Sequence, residues 1–217
     1  MKGKKKVILT VLCAVLLVAG SVLGTIAYLT STDTATNTFT VGNVAITLDE
    51  AKANADGTLA DNGATRVKEN SYKLMPGHTY AKDPMVTVLS GSEASYVKMT
   101  VTFTKAAALD AIFAPNGADM TSIFNGYDGN NWIYKGNTTA TADNGETTRT
   151  YEFWYKDKVA APDGNVALDA LFDSITVPGT ITNAQLASIE GMQIIVNGYA
   201  IQADGFADAA AAWAAYK

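Results

Sequence analysis

The residues able to move protons, attack a substrate or bind metal are few in this chain, and their spacing limits what they offer. There is one histidine, His78, two residues after Pro76 in a turn. Zinc hydrolysis on a helix uses two imidazoles four residues apart with a glutamate beside the first, so His78 would have to share an ion with carboxylates alone. The one cysteine, Cys13, lies in an apolar run, and Leu12 before it is larger than lipid attachment wants. Everything after Cys13 is free of thiols, which excludes disulfide frameworks, thiolate metal sites and cysteine nucleophiles. GxSxG, GxxxxGK[ST] and GxGxxG patterns are all missing, so serine hydrolases of that fold, P-loop NTPases and dinucleotide enzymes lose their main signals.

Carboxylates remain. Any two of the 21 acidic residues would serve glycoside hydrolysis if they met in space, but nothing marks a particular two. Asp61-Asn62-Gly63, Asp128-Gly129-Asn130-Asn131 and Asp143-Asn144-Gly145-Glu146 offer oxygens to Ca²⁺ without the alternating ligand spacing of an EF-hand. Turn formation accounts for the same residues. Tyr127, Trp132, Tyr134, Trp154 and Tyr155 form either a sugar-stacking platform or core and cross-strand pairs. The expectation is a non-enzyme with no catalytic residue, no metal and no cofactor.

The elements that must hold these residues fit one domain, since 217 residues with 48% hydrophobic content supply a single packed core. Lys2, Lys4, Lys5 and Lys6 account for four of the 16 basic residues, so the remainder sets 12 basic against 21 acidic ones. Such a surface repels phosphate backbones and argues against nucleic acid as a partner. The cationic start, the apolar run Val7 to Leu23 and the small residues Thr25 and Ala27 compose an export signal, with cleavage between Ala27 and Tyr28. The competing reading is an uncleaved anchor, because the apolar stretch approaches the ~20 residues that a spanning helix needs. On either reading residues 1–27 stand outside the fold, the membrane is met only through residues 7–27, and residues 28–217 form one secreted domain.

Period-two alternation dominates that domain. Phe39 and Val41, then Val44, Ile46 and Leu48, predict a strand pair kinked at Gly42-Asn43. Residues 51–71 read as a surface loop or hairpin insertion. Leu74-Met75-Pro76-Gly77 is a tight turn feeding a strand through Met85, Val86 and Val88. Ser95 to Thr104 is the clearest strand, with Val97, Met99, Val101 and Phe103 on its buried face. Trp132 to Lys135 and Thr148 to Lys156 form a hairpin about Asp143-Asn144-Gly145. Met192 to Ile201, apolar on both faces, predicts a central strand in which Gly198 allows close backbone approach. Short helices are expected over 105–113, with Ala107, Leu109, Ile112 and Phe113 at helical spacing, and over 184–189, capped by Thr182 or Asn183. The alanine-rich tail 205–216 predicts a C-terminal helix with Phe206, Ala209, Ala210 and Trp213 on one face. Short strands with Gly/Asn/Asp turns and no βαβ rhythm make the fold all-β, an antiparallel β-sandwich of jelly-roll or immunoglobulin-like kind.

Lys4-Lys5-Lys6, the stretch Gly24 to Thr30, Asn37-Thr38-Phe39-Thr40-Val41-Gly42 and Leu74-Met75-Pro76-Gly77 with Lys82-Asp83 together resemble the TasA and camelysin family of Gram-positive bacteria. The ending from Ile201 to Trp213 is similar to that of exported relatives in the group. The resemblance implies a signal removed by a dedicated peptidase of the endoplasmic-reticulum type. It also implies a jelly-roll subunit assembled with itself, or with other matrix proteins, into extracellular or biofilm-matrix fibres at the cell surface. In TasA-type fibres the segment after cleavage completes a sheet of the next subunit. Here that donor strand would carry Thr38, Phe39 and Val41, and Leu74, Pro76 and Gly77 would form the family turn. The alternative is an N-terminal strand pairing within its own subunit. Two further readings stand beside the fibre subunit: a surface metallopeptidase, as camelysin relatives have been labelled, and an adhesin or glycan-binding module.

Overall fold

Alternating side chains oblige a strand to bury one face and wet the other. In the computed structural model, which describes residues 42–113 and 123–216, the strands obey this in antiparallel sheets. The larger sheet is organised by β5 (Ser92–Thr104), the longest strand. Val97, Met99, Val101 and Phe103 are fully buried on one side of it, while Lys98, Thr100 and Thr102 on the other are half-exposed. β7 (Thr147–Tyr155) and β11 (Ile194–Gln202) flank β5, and β6 (Trp132–Thr141) lies beyond β7, giving the order β11-β5-β7-β6. β8 (Val159–Ala161) pairs the start of β5 across a bulge.

Opposite lies a sheet ordered β2 (Arg66–Val67), β1 (Ile46–Ala51), β4 (Met85–Val88) and β9 (Val166–Ala167), with β3 (Thr79–Ala81) and β10 (Ser174–Thr176) as a separate pair. One hydrophobic cluster fills the space between, including Val86, Val88, Trp132, Tyr151, Phe153 and Phe172. Phe124 packs among these rings, with centroids 4.5 Å from Phe172 and 5.5 Å from Tyr151. The molecule is therefore an all-β antiparallel sandwich with a few short helices. Gly198 permits the close approach expected of it: a side-chain carbon there would lie 3.1 Å from Val86 Cγ2 and 3.5 Å from Ile46 Cδ1.

The helices follow their local signals. α1 (Ala106–Phe113) buries Ala106, Leu109, Ile112 and Phe113, so Ala106 takes the place expected of Ala107, which is exposed. α2 (Asn183–Ser188) is capped by Thr182, which forms a reciprocal capping box with Gln185. Such a box satisfies amide groups that the first turn leaves open. α3 (Ala209–Ala215) is shorter than the alanine run 205–216, because Asp208 caps it by accepting from the Ala211 N–H at 2.8 Å. Its buried face is Ala212 and Trp213 with Ala209 and Phe206 partly covered; Ala210 faces outward.

The largest departure from expectation is β11. It is an edge strand, paired only with β5 among the described residues. Both faces are apolar for a different reason than central placement. Ile194, Val196 and Ala200 join the sandwich core, whereas Tyr199 and Ile201 lie under α3 with Trp213. A helix laid on the outer face supplies the cover that a further strand would not.

Candidate functional site

The turn Leu74-Met75-Pro76-Gly77 is built as the sequence suggests, with Gly77 at φ +77°, a conformation that costs glycine little. Gly77 N–H donates to the Val177 carbonyl at 2.9 Å. The Tyr80 hydroxyl accepts from the Met75 N–H at 2.6 Å and donates to the Lys73 carbonyl at 2.8 Å, clasping the turn from within. Leu74 is half-buried against the core and Pro76 is exposed. This turn positions the segment that follows; His78 on it is exposed, 6.5 Å from the Tyr80 ring.

The second feature is the edge of β11 that no other strand pairs among the described residues. Thr104 N–H donates to the Gln193 carbonyl at 3.0 Å and Ala203 N–H to the Ala94 carbonyl at 2.7 Å, at the two ends of an unbroken register with β5. In an antiparallel pair hydrogen-bonded residues alternate, so the odd-numbered residues of β11 bond β5. Ile194, Val196, Gly198, Ala200 and Gln202 therefore turn their amides and carbonyls outward. Ile195, 43% exposed, stands beside this edge. Two clefts, of about 1190 and 320 Å³, flank the first residues of β11 and share Glu69, Asn70, Lys82, Ile194 and Ile195 in their walls. The sheet's other edge, β6, is broken by a bulge between Tyr134 and Gly136 and carries the exposed Lys135. Bulges and charged side chains guard edges against pairing. β11 has neither.

A polar cluster lies in the clefts' shared wall. Lys82 and Glu50, 7% and 6% exposed, pair at 2.5 Å through Glu50 Oε2. Glu50 Oε1 accepts from Asn70 Nδ2 at 3.0 Å. Asn70 Nδ2 also donates to the Ala51 carbonyl at 2.9 Å, and Asn70 Oδ1 accepts from the Ala53 N–H at 2.8 Å. Beside them Arg66 bridges Asp49 at 2.8 Å and Asp83 at 2.5 Å. Burial opposes the Arg66 charge, but the hydrogen bonds it donates to both carboxylates outweigh this and raise the guanidinium above its ordinary range. The Tyr72 hydroxyl donates to the Ala81 carbonyl at 2.6 Å. Burial, and after it the Glu50 carboxylate, push the Tyr72 phenol well above its ordinary value.

The remaining residues singled out in the sequence separate from one another. Ala27, Tyr28, Thr38, Phe39 and Val41 lie outside the described residues. Trp132 is fully buried and meets Tyr155 edge-on at 5.0 Å; Tyr127 and Tyr134 pack on Phe153. Trp154 lies on the other face, 4.3 Å beneath the Lys135 ammonium and near Trp213. These are core and cross-strand pairs, not one platform. The acidic turns close on themselves: Asp61 accepts from the Thr65 amide at 3.0 Å, Asp128 from Asn131 Nδ2 at 2.7 Å, and Asn144 Oδ1 from the Glu146 amide at 3.0 Å. No group of three His, Cys, Asp or Glu side chains among the described residues is placed to hold a metal ion. Among the same residues no helix is long and apolar enough to cross a membrane.

Glu50 and Asn70 escaped sequence reasoning, and Lys82 entered it only beside the Pro76-Gly77 turn, with no partner assigned. Residues 51–71 read as surface loop, and most are exposed. Yet Arg66 and Val67 form β2 on the end of β1, and this carries Asn70 inward. The local signal for it is one arginine beside a valine, too slight to distinguish a strand from a solvated turn. No protein-family model, curated protein or solved structure matches the chain.

Proposed function

We propose that the chain is a secreted structural subunit of extracellular or cell-surface fibres, each copy giving the strand about Thr38, Phe39 and Val41 to the β11 edge of the next. The observation that carries this reading is that edge: nine residues, IIVNGYAIQ, without a charge, a proline or a bulge. An unguarded edge is a template for an added strand, whose main-chain bonds give affinity and whose alternate side chains fill pockets. Clefts beside Ile194 and Ile195 offer room for apolar side chains such as Phe39 and Val41.

Polarity also favours a chain of copies. The Asn43 carbonyl accepts from the Glu93 amide at 2.9 Å and Ala45 N–H donates to Ser92 Oγ at 3.1 Å. The described chain thus begins near the end of the sandwich where β11 finishes. A segment leaving there and an edge elsewhere on the same surface make a heterologous contact, and contacts of that kind that do not close into rings give filaments. The export signal and the acidic remainder fit a product held soluble outside the cell until assembly.

Electron microscopy tests this on the chain starting at Tyr28, the same chain lacking residues 28–41, and the form retaining residues 1–27. Fibres from the first alone support strand donation released by processing. Undiminished fibres after the deletion refute it.

A further inference from the structure

The Glu50, Asn70 and Lys82 side chains converge from β1, the end of the 51–71 insertion and the link between β3 and β4, and meet at the Glu50 carboxylate. An amine and a carboxamide sit on the two oxygens of one buried carboxylate. The carboxamide oxygen already faces a fixed donor, the Ala53 N–H at 2.8 Å, the kind of group that stabilises a developing oxyanion. We propose that Lys82 and Asn70 join in an intramolecular amide bond, formed without an added enzyme, with Glu50 carrying the protons.

The steps balance. Glu50 takes a proton from the Lys82 ammonium across their 2.5 Å contact. The free amine then attacks Cγ of Asn70, and the Ala53 amide holds the negative oxygen that results. Glu50 returns its proton to Nδ2 and takes the second proton from Nζ. The Cγ–Nδ2 bond breaks as the carbonyl re-forms, and ammonia leaves through the adjoining cleft, accepting the last proton from Glu50. One C–N bond has formed and one has broken; nothing is oxidised or reduced. Positioning of this kind replaces an encounter between reactants by a reaction within one molecule. Asn70 is suited to the electrophile's place, since its nitrogen departs beside the proton carrier and its oxygen points at a donor.

The product would tie the insertion to the start of β4 across β1, next to the cleft wall beneath the β11 edge. It is independent of fibre assembly, because all its parts belong to one subunit.

Mass spectrometry of the folded full-length chain tests it. The expected result is a mass lower by one ammonia, with digestion yielding one branched peptide that holds both Asn70 and Lys82. Glu50→Gln, which keeps the shape and cannot carry the proton, should show full mass and two linear peptides at an unchanged circular dichroism spectrum. If that variant does not fold, the wild-type chain held in denaturant is the control, and it should keep full mass until refolded. A folded wild-type chain that retains full mass on prolonged incubation overturns the proposal. Ammonia loss confined to an Asn-Gly step such as Asn62-Gly63, which leaves only linear peptides, overturns it equally, as does a branched peptide formed at the wild-type rate in Glu50→Gln.

Discussion

Adjacent residues of β11 should respond unequally to proline. Val196 directs its N–H to the free edge, whereas Asn197, opposite Thr100, directs its own to β5. In Asn197→Pro a ladder bond is lost, about 1 kcal/mol, and the facing carbonyl of a central strand is left without its donor, about 1–3 kcal/mol more. Val196→Pro removes no ladder bond, and its cost is near that of one methylene of core packing, about 1 kcal/mol. The ring's restriction of φ is common to both and cancels in the comparison. The difference is then about 2 kcal/mol, or a urea midpoint lower by roughly 1 M in Asn197→Pro at the slopes of about 1–3 kcal/mol/M found for small domains. Urea melts followed by tryptophan fluorescence read it directly. Equal midpoints, or a less stable Val196→Pro, would refute the assigned hydrogen-bond parity. The same pair also separates fold from assembly. Val196→Pro should remain folded yet fail to extend fibres, because the ring removes an outward donor and blocks an approaching strand. Normal elongation by that variant would remove β11 as the accepting edge.

Other consequences can be checked alongside. Gly198→Leu should destabilise by about 1–3 kcal/mol through overpacking against Val86 and Ile46, while Gly198→Ala should lie within about 1 kcal/mol of wild type, as relief of glycine's entropy offsets the tight contact; denaturant melts decide. Trp213→Ala should cost about 3 kcal/mol and reduce helical circular dichroism, because α3 is docked through this ring, which also sits 4.6 Å from the Lys98 ammonium. Stability should be flat from neutrality to about pH 10 and fall above it, since the folded chain keeps the Tyr72 proton that the unfolded chain has lost. Tyr72→Phe should lessen that fall in alkaline thermal melts; an unchanged slope would show that the buried phenol does not contribute.

The strands and helices were legible in the sequence for a local reason. Whether a side chain alternates between faces, or a cap such as Thr182 or Asp208 reaches the next turn, is decided within a few residues. Val97, Met99, Val101 and Phe103 announce a half-buried strand, and β5 is that strand; the sandwich follows from many such segments lacking helical crossovers. The turn at Pro76-Gly77 and the tight approach at Gly198 were legible for the same reason.

What the tertiary structure alone decided is which strand is an edge and which polar groups meet. Hydropathy reports on the faces of a strand, whereas its edges are backbone, alike in every sequence; β11 therefore read as central when its second apolar face is covered by α3. Glu50, Asn70 and Lys82 are separated by 20 and 12 residues, and no local pattern marks a lysine that burial will place against a carboxylate. Their meeting depends on β2 adding to β1 and on the β3–β4 link crossing beneath it, contacts that exist only once the chain has closed its long loops.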